Sequence, residues 1–266
     1  DGQGNQPARD RRAEVGPEVE FFLVHKNTDP DYELMPPKGR SGRREVARMS
    51  FSIDAVAEFE DFVEDMYDFA DEQALSVDTL IHENGAAQLE INFNHGDPLD
   101  MADQVFVFKR TVRETAQRHN MYATFMAKPM QKEPGSALHI HQSILSLATG
   151  DNIFNGADDQ PTPELMHYIA GLQRYTPDLI SFYAPNVNSY RRLAPDISAP
   201  INLSWGYDNR TTAFRVPDST PINRRVENRF PGADANPYLA IAASLASGLL
   251  GLEPVSYTHL TLPTTD

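Results

Sequence analysis

Two hydrophobic periods alternate along this chain. In some stretches apolar residues recur every second position, in others every third or fourth. Residues 15–24, VGPEVEFFLV, predict a buried strand: Gly16-Pro17 punctuates its start, and Val19, Phe21, Phe22, Leu23 and Val24 favour extended backbone. Residues 137–145, ALHIHQSIL, alternate cleanly and put His139, His141 and Ser143 on one strand face. Residues 80–93, LIHENGAAQLEINF, have apolar ends around Asn84-Gly85 and predict a hairpin, or one strand broken by a turn or bulge. Shorter strands are expected over 121–127, 201–206, 212–216 and 225–230.

The helical period appears over 55–75, where Val56, Phe59, Val63, Met66, Tyr67 and Ala70 form an apolar stripe and Asp54 is the expected N-cap. It recurs over 100–119 through Val105, Phe108, Val112 and Ala116, and over 161–183, which a Pro-Thr-Pro introduces. Residues 239–252 are apolar all round, too short to cross a bilayer, and predict a buried helix. Residues 26–50 show neither period, are rich in Pro, Gly and Arg, and are too long for a simple connector, which points to a functional flap. Strands interleaved with helices and hairpin turns argue for an α+β fold.

Composition narrows the chemistry. The 266 residues carry 38 acidic against 23 basic side chains, a net charge of −15, so nucleic acid and anionic membranes are poor partners. There is no cysteine, which excludes disulfides, thiolate metal sites and thiol catalysis and suits a reducing, cytoplasmic setting. Residues 1–14 are polar and read as a disordered lead-in, 15–254 as the folded domain, and 255–266, whose character changes abruptly, as an unrelated tail.

The candidate chemistry lies in same-face polar residues on the expected strands. Glu18 and Glu20 are two apart, so their carboxylates share a face and repel unless a cation lies between them. Glu83 and Glu90 differ by seven, which places them on opposite faces of an unbroken strand, and Gly85 with Ala86-Ala87 can absorb that parity change. Added to these are His139 and His141, then Arg225, Glu227 and Arg229. Each cluster alone reads equally well as a solvated strand edge or a surface ion-pair ladder. Together, five carboxylates and an imidazole make about two oxygen-rich sites for hard divalent cations such as Mg²⁺ or Mn²⁺. Arg191, Arg192, Arg210, Arg215, Arg224, Arg225 and Arg229 supply forks for phosphate and carboxylate, the apparatus that phosphoryl transfer requires. No P-loop or dinucleotide-binding glycine motif is present.

The ordered motifs GPEVEFFL, HENGAAQLEINF, GSALHIHQS, NSYRRLAP, NRTTAFRVP and RRVENRFPGADANPYLA resemble the catalytic domain of the glutamine synthetase family, over about residues 15–253. The resemblance implies a curved, mostly antiparallel sheet forming an active-site funnel flanked by helices. It implies a ligase that joins the γ-carboxylate of glutamate to ammonia or an organic amine through a γ-glutamyl phosphate made from ATP. Carried over by motif, Glu20, Glu83 and Glu90 would hold one metal, and Glu18, His139 and Glu227 a second on the ATP phosphates. Glu20, Arg210 and Arg215 would act in catalysis. Gly135, Arg192 and Arg229 would grip glutamate, and Asp78, His141, Ser143, Arg210, Arg215 and Arg225 would address ATP.

Three departures from the family pattern bear on this. The smaller N-terminal domain expected to complete a neighbouring active site in a ring-shaped homo-oligomer is not seen, and the C-terminal portion stops early, so a fragment inactive by itself is expected. Six residues beyond Arg192 the ammonia-using enzymes have a glutamate where this chain has Ser198, which, with Trp205 near, resembles the branch that ligates alkylamines or polyamines. The histidine-rich run often found before the Glu83 motif is only Ile81-His82. A non-catalytic structural or regulatory relative is the alternative reading. A guanidino kinase is weakened by the glutamate-gripping motifs.

Overall fold

The computed structural model describes residues 10–29, 31–46, 49–156, 160–195 and 199–253. The tail expected over 255–266 and residues 1–9 of the lead-in lie outside the described residues.

Fifteen residues, Arg11–His25, form β1, on which the other strands are laid. It starts four residues earlier than its apolar run predicts, because Arg11–Glu14 pair with the far end of β5 (Leu138–Ser146). On the opposite edge β1 pairs antiparallel with β3 (Gln88–Phe93), which forms the expected hairpin with β2 (Val77–His82). The short β4 (Met121–Thr124) pairs with Phe22–His25 of β1. Beyond β5 the sheet continues through β8 (Val226–Asn228), β7 (Phe214–Val216) and β6 (Trp205–Tyr207). The pairings are antiparallel except β6 with β7.

Strand alternation divides the sheet into two faces. Val15, Val19, Phe21 and Leu23 are fully buried on one. They meet α3 (Pro98–Arg118), whose Phe108 ring contacts Phe21 and Phe93 edge-on. Each such side chain contributes about 1.5–3 kcal/mol by leaving water. Gln142 of β5 and Asn228 of β8 point the same way and donate to Ser244 of α5 (Pro237–Gly251), which packs on α4 (Pro163–Tyr183). The long helices therefore cover one face and leave the other free for chemistry.

Several boundaries differ from the sequence expectation. The helix expected over 55–75 is two helices, α1 (Ile53–Ala57) and α2 (Glu60–Glu72), capped first by Ser52 rather than Asp54. The break falls where Arg40 of the flap donates its backbone N–H to the Glu58 carbonyl, taking that acceptor from the helical ladder. The strand expected over 201–206 begins only at Trp205. The Asn202 and Asn209 side chains accept backbone N–H groups two residues on, and these local turns displace the ends of β6 and β7.

Candidate active site

Pairing register assembles the site. Glu20 of β1 lies opposite Glu90 of β3, and Glu18 opposite His139 of β5. His141 in turn lies opposite Glu227 of β8, and Glu227 opposite Arg215 of β7. Each pair shares the uncovered face, so a single band of charge crosses five strands. Glu83 joins from the turn after β2. Ala87 takes a left-handed φ of 56°, and this turn absorbs the parity mismatch between Glu83 and Glu90.

Glu20, Glu83 and Glu90 bring one oxygen each within 4.8 Å of one another. Burial, reinforced by Glu83, pushes Glu20 up to about 7. Burial and the neighbouring carboxylates Glu18, Glu20, Glu83 and Glu227 hold Glu90 well above the carboxylate range, and burial raises Glu83. Three buried oxygen donors that resist ionising together are the donor chemistry a hard divalent cation satisfies.

Glu18 accepts from His139 Nδ1 at 3.1 Å and His141 Nε2 at 2.8 Å. Burial opposes its ionisation, yet His141 and His139 hold it well below the usual range. Arg225 Nε donates to His141 Nδ1 at 3.0 Å, which leaves the ring proton on Nε2, facing Glu18. Glu227 is fully buried and doubly bridged: Arg215 Nε donates to one oxygen and Arg229 Nη1 to the other at 2.5 Å. Against its burial, Arg229 and the two histidines lower it to about 2. Burial and Arg229 lower His139 to about 4. The expected set Glu18, His139, Glu227 is thus spread over two groupings that share Glu18, one adding Glu90 and the other His141.

Two cavities meet at Glu18. The first, about 150 Å³, is lined by the carboxylate cluster together with Gly135, Arg192, Arg210, Arg215 and Arg229. Arg192 lies at the end of a short 3₁₀ turn, Ser189–Arg191, and its guanidinium donates to the backbone carbonyls of Arg229 and Phe230 at 2.9 and 2.8 Å. Its stem lies so close to Gly135 that a β-carbon there would come within 2.6 Å of Arg192 Cγ. Arg229 Nε is buried and has no hydrogen-bond partner among the described residues, a donor left free for an anionic acceptor. The second cavity, about 540 Å³, is lined by Asp78, His141, Ser143 and Arg225, so Arg210 and Arg215 stand apart from the other nucleotide candidates, beside the carboxylates.

Gln88 was missed in the sequence. Its Nε2 donates to the Gly135 carbonyl at 2.9 Å and to Glu20 at 3.3 Å, tying the glycine loop to the cluster. The signal was its alternation with Glu90 on one strand face. Asp208, an ion-pair partner of Arg215 at 2.8 Å, carried no such signal. Trp205 is buried in the core against Tyr207 and is not among the residues that line either cavity. Ser198 lies outside the described residues.

Comparison with known families matches residues 5–259 to "Glutamine synthetase, catalytic domain". The chain is 39% identical over 242 residues to gamma-glutamylputrescine synthetase PuuA of Escherichia coli (strain K12), covering 90% of this chain and 51% of that protein. It is 36% identical over 252 residues to a glutamine synthetase of Pyrococcus abyssi, covering 93% and 54%. Among solved structures, a GmaS/ADP complex superposes with a TM-score of 0.80 at 32% identity, covering 96% of this chain and 58% of that one. The chain therefore spans about half the length of the curated relatives it matches.

Proposed function

The chain belongs to the glutamine synthetase catalytic-domain family, and from that premise we propose that residues 15–254 are the catalytic half of an ATP-dependent glutamate–amine ligase. The observation that carries this is the junction at Glu18. A carboxylate cluster and an arginine whose buried Nε has no hydrogen-bond partner among the described residues open into one cavity, and a larger polar cavity adjoins it.

In this reading the second cavity takes ATP through Asp78, His141, Ser143 and Arg225, and its phosphates reach the junction. Arg192 and Arg229, with the Gly135 backbone, hold glutamate by its carboxylate. Glu20, Glu83 and Glu90 would hold one divalent cation, Mg²⁺ or Mn²⁺, and Glu18, His139 and Glu227 another. Bound there, such ions neutralise phosphate and carboxylate oxygens. The glutamate γ-carboxylate oxygen attacks the terminal phosphorus of ATP, and the bond to ADP breaks. Arg210 and Arg215 stabilise charge building on the transferred phosphoryl oxygens. The amine nitrogen then attacks the acyl phosphate, releasing phosphate and a proton. Retention of all six proposed ligands favours this over a non-catalytic relative, which has no use for repelling carboxylates in a core.

For the amine we favour an alkylamine or polyamine over ammonium, on Ser198 and on the likeness to a putrescine-ligating enzyme. We place the whole protein in the cytoplasm as a ring-shaped homo-oligomer. Among the described residues no helix is long and apolar enough to cross a membrane.

The test is Mn²⁺ binding by electron spin resonance on this chain, with and without ADP, repeated on Glu20→Gln and Glu227→Gln. Each variant is expected to lose one tight site, and ADP to tighten binding in the unaltered chain. Unchanged stoichiometry in either variant sinks the ligand assignment. Phosphate release by the whole protein should be faster with putrescine than with ammonium, and the reverse order overturns the amine assignment.

A further inference from the structure

Two features of the sequence are unused by this chemistry: the flap over 26–50, and His82, the single histidine before Glu83. The structure joins them. His82 is fully buried; its Nε2 lies 2.9 Å from Glu45 Oε2, and its Nδ1 lies 2.7 Å from the backbone carbonyl oxygen of Glu83. A carbonyl and a carboxylate only accept, so both ring nitrogens donate, and the ring is clamped between flap and turn.

The same Glu45 oxygen accepts the Ala87 N–H at 2.8 Å. Ala87 is the residue with φ of 56°, a left-handed conformation that strains a side-chain-bearing residue and persists only when its surroundings hold it. One carboxylate oxygen thus closes both ends of the turn over 82–87, and Glu83 lies inside it. Nearby Phe51, just after the flap, donates its N–H to the His82 carbonyl at 2.8 Å, and the flap's Ser50 hydroxyl donates to Asn84 Oδ1 at 2.5 Å. From the other side Glu133 accepts the Ala86 N–H at 3.1 Å. Glu45 Oε1 is itself buried with no hydrogen-bond partner among the described residues, a desolvation cost that a purely structural flap contact has no need to carry.

We propose that Glu45 is a positioning residue for the carboxylate cluster: reaching in from the flap, it fixes through His82 and Ala87 the turn that presents Glu83. The proposal rests on reading Glu83 as a cation ligand in the first cavity. Glu45 touches neither cation nor substrate. It acts by holding a ligand in place, as outer partners of metal ligands do.

The experiment is an Mn²⁺ titration by electron spin resonance on the full chain and on Glu45→Ala and Glu45→Gln. Glu83→Gln and Glu227→Gln mark the two sites. Glu45→Ala should weaken the Glu83 site about tenfold or more and leave the Glu227 site unchanged. Glu45→Gln keeps an acceptor oxygen for both donors and should retain most of the affinity. If Glu83→Gln loses its site while Glu45→Ala binds as the unaltered chain does, the positioning role falls and the ligand reading stands. If Glu83→Gln keeps its site, both fall. Equal weakening of both sites in Glu45→Ala also overturns the proposal, because general loosening of the fold produces that pattern. Should Glu45→Ala lose its circular dichroism signal, Glu45→Asp decides by the same criterion, its oxygen being withdrawn by one carbon.

Discussion

Glu20, Glu83 and Glu90 are held where ionising one raises the cost of ionising the next. Their folded-state values lie above the ordinary 4.5, with Glu20 at about 7. Between pH 4.5 and 7 the folded chain therefore binds more protons than the unfolded one, and stability falls as pH rises through that window. His139, lowered to about 4, works the other way with a single proton, and three carboxylates outweigh it. Glu18 and Glu227 lie below 4.5, and their contribution is lost only as pH drops below that value. In a chelating buffer the chain should melt higher at pH 5 than at pH 7.5. Glu90→Gln, a neutral isostere, should flatten that fall, and Mn²⁺ at pH 7.5 should stabilise the unaltered chain much more than the variant. Thermal melts followed by circular dichroism check all three. A melting temperature that rises steadily from pH 5 to 7.5 without metal would show that the carboxylates do not converge.

At the scale of elements, the site depends on the helices that back the sheet. α4 and α5 approach so closely that a β-carbon on Gly171 would lie 2.3 Å from the Ser247 carbonyl oxygen, and one on Gly248 would lie 2.1 Å from the Tyr168 ring. Tyr168 donates to Gln142 of β5, so this helix pair also seats the strand bearing His139 and His141. Alanine favours a helix over glycine by about 1 kcal/mol, but a clash with backbone oxygen has no rotamer to escape into. Gly171→Ala should therefore be net destabilising, by about 1–3 kcal/mol, read from the urea midpoint. α3 acts as a second strut. Its buried Lys109 Nζ donates to the carbonyls of Ala233 and Ala235 at 2.7 and 3.2 Å, and Asp234 between them accepts from Asn186 and Ser189. The loop after Arg229 is thereby bound to the turn that ends at Arg192. These contacts join residues far apart in sequence, so no local period announces them.

For the whole molecule, the sharing of Glu18 between two cavities has a thermodynamic consequence. A ligand in one cavity and a cation in the other see the same carboxylate, so their affinities are coupled, and the coupling is reciprocal. ADP should tighten Mn²⁺ binding, and Mn²⁺ should tighten ADP binding by the same factor. Glu18→Gln should reduce that factor toward one, whatever it does to either affinity alone. Isothermal titration of ADP with and without Mn²⁺ measures it, and an undiminished factor in the variant would place the coupling elsewhere.

What the sequence determined by itself was local pattern: the strand through Glu18 and Glu20, the alternating histidines of β5, the helical stripe of α3, and the six motifs that mark the family. These are legible because a period of two or three to four is a property of neighbouring residues. Only the tertiary structure decided that Glu20 faces Glu90 and Glu227 faces both His141 and Arg215, since register is set between strands. It alone broke the helix at Glu58, turned Trp205 into the core, brought Gln88 to the cluster and Glu45 to the turn that carries Glu83. Those outcomes depend on hydrogen bonds and packing between segments tens of residues apart, where a local pattern carries no information.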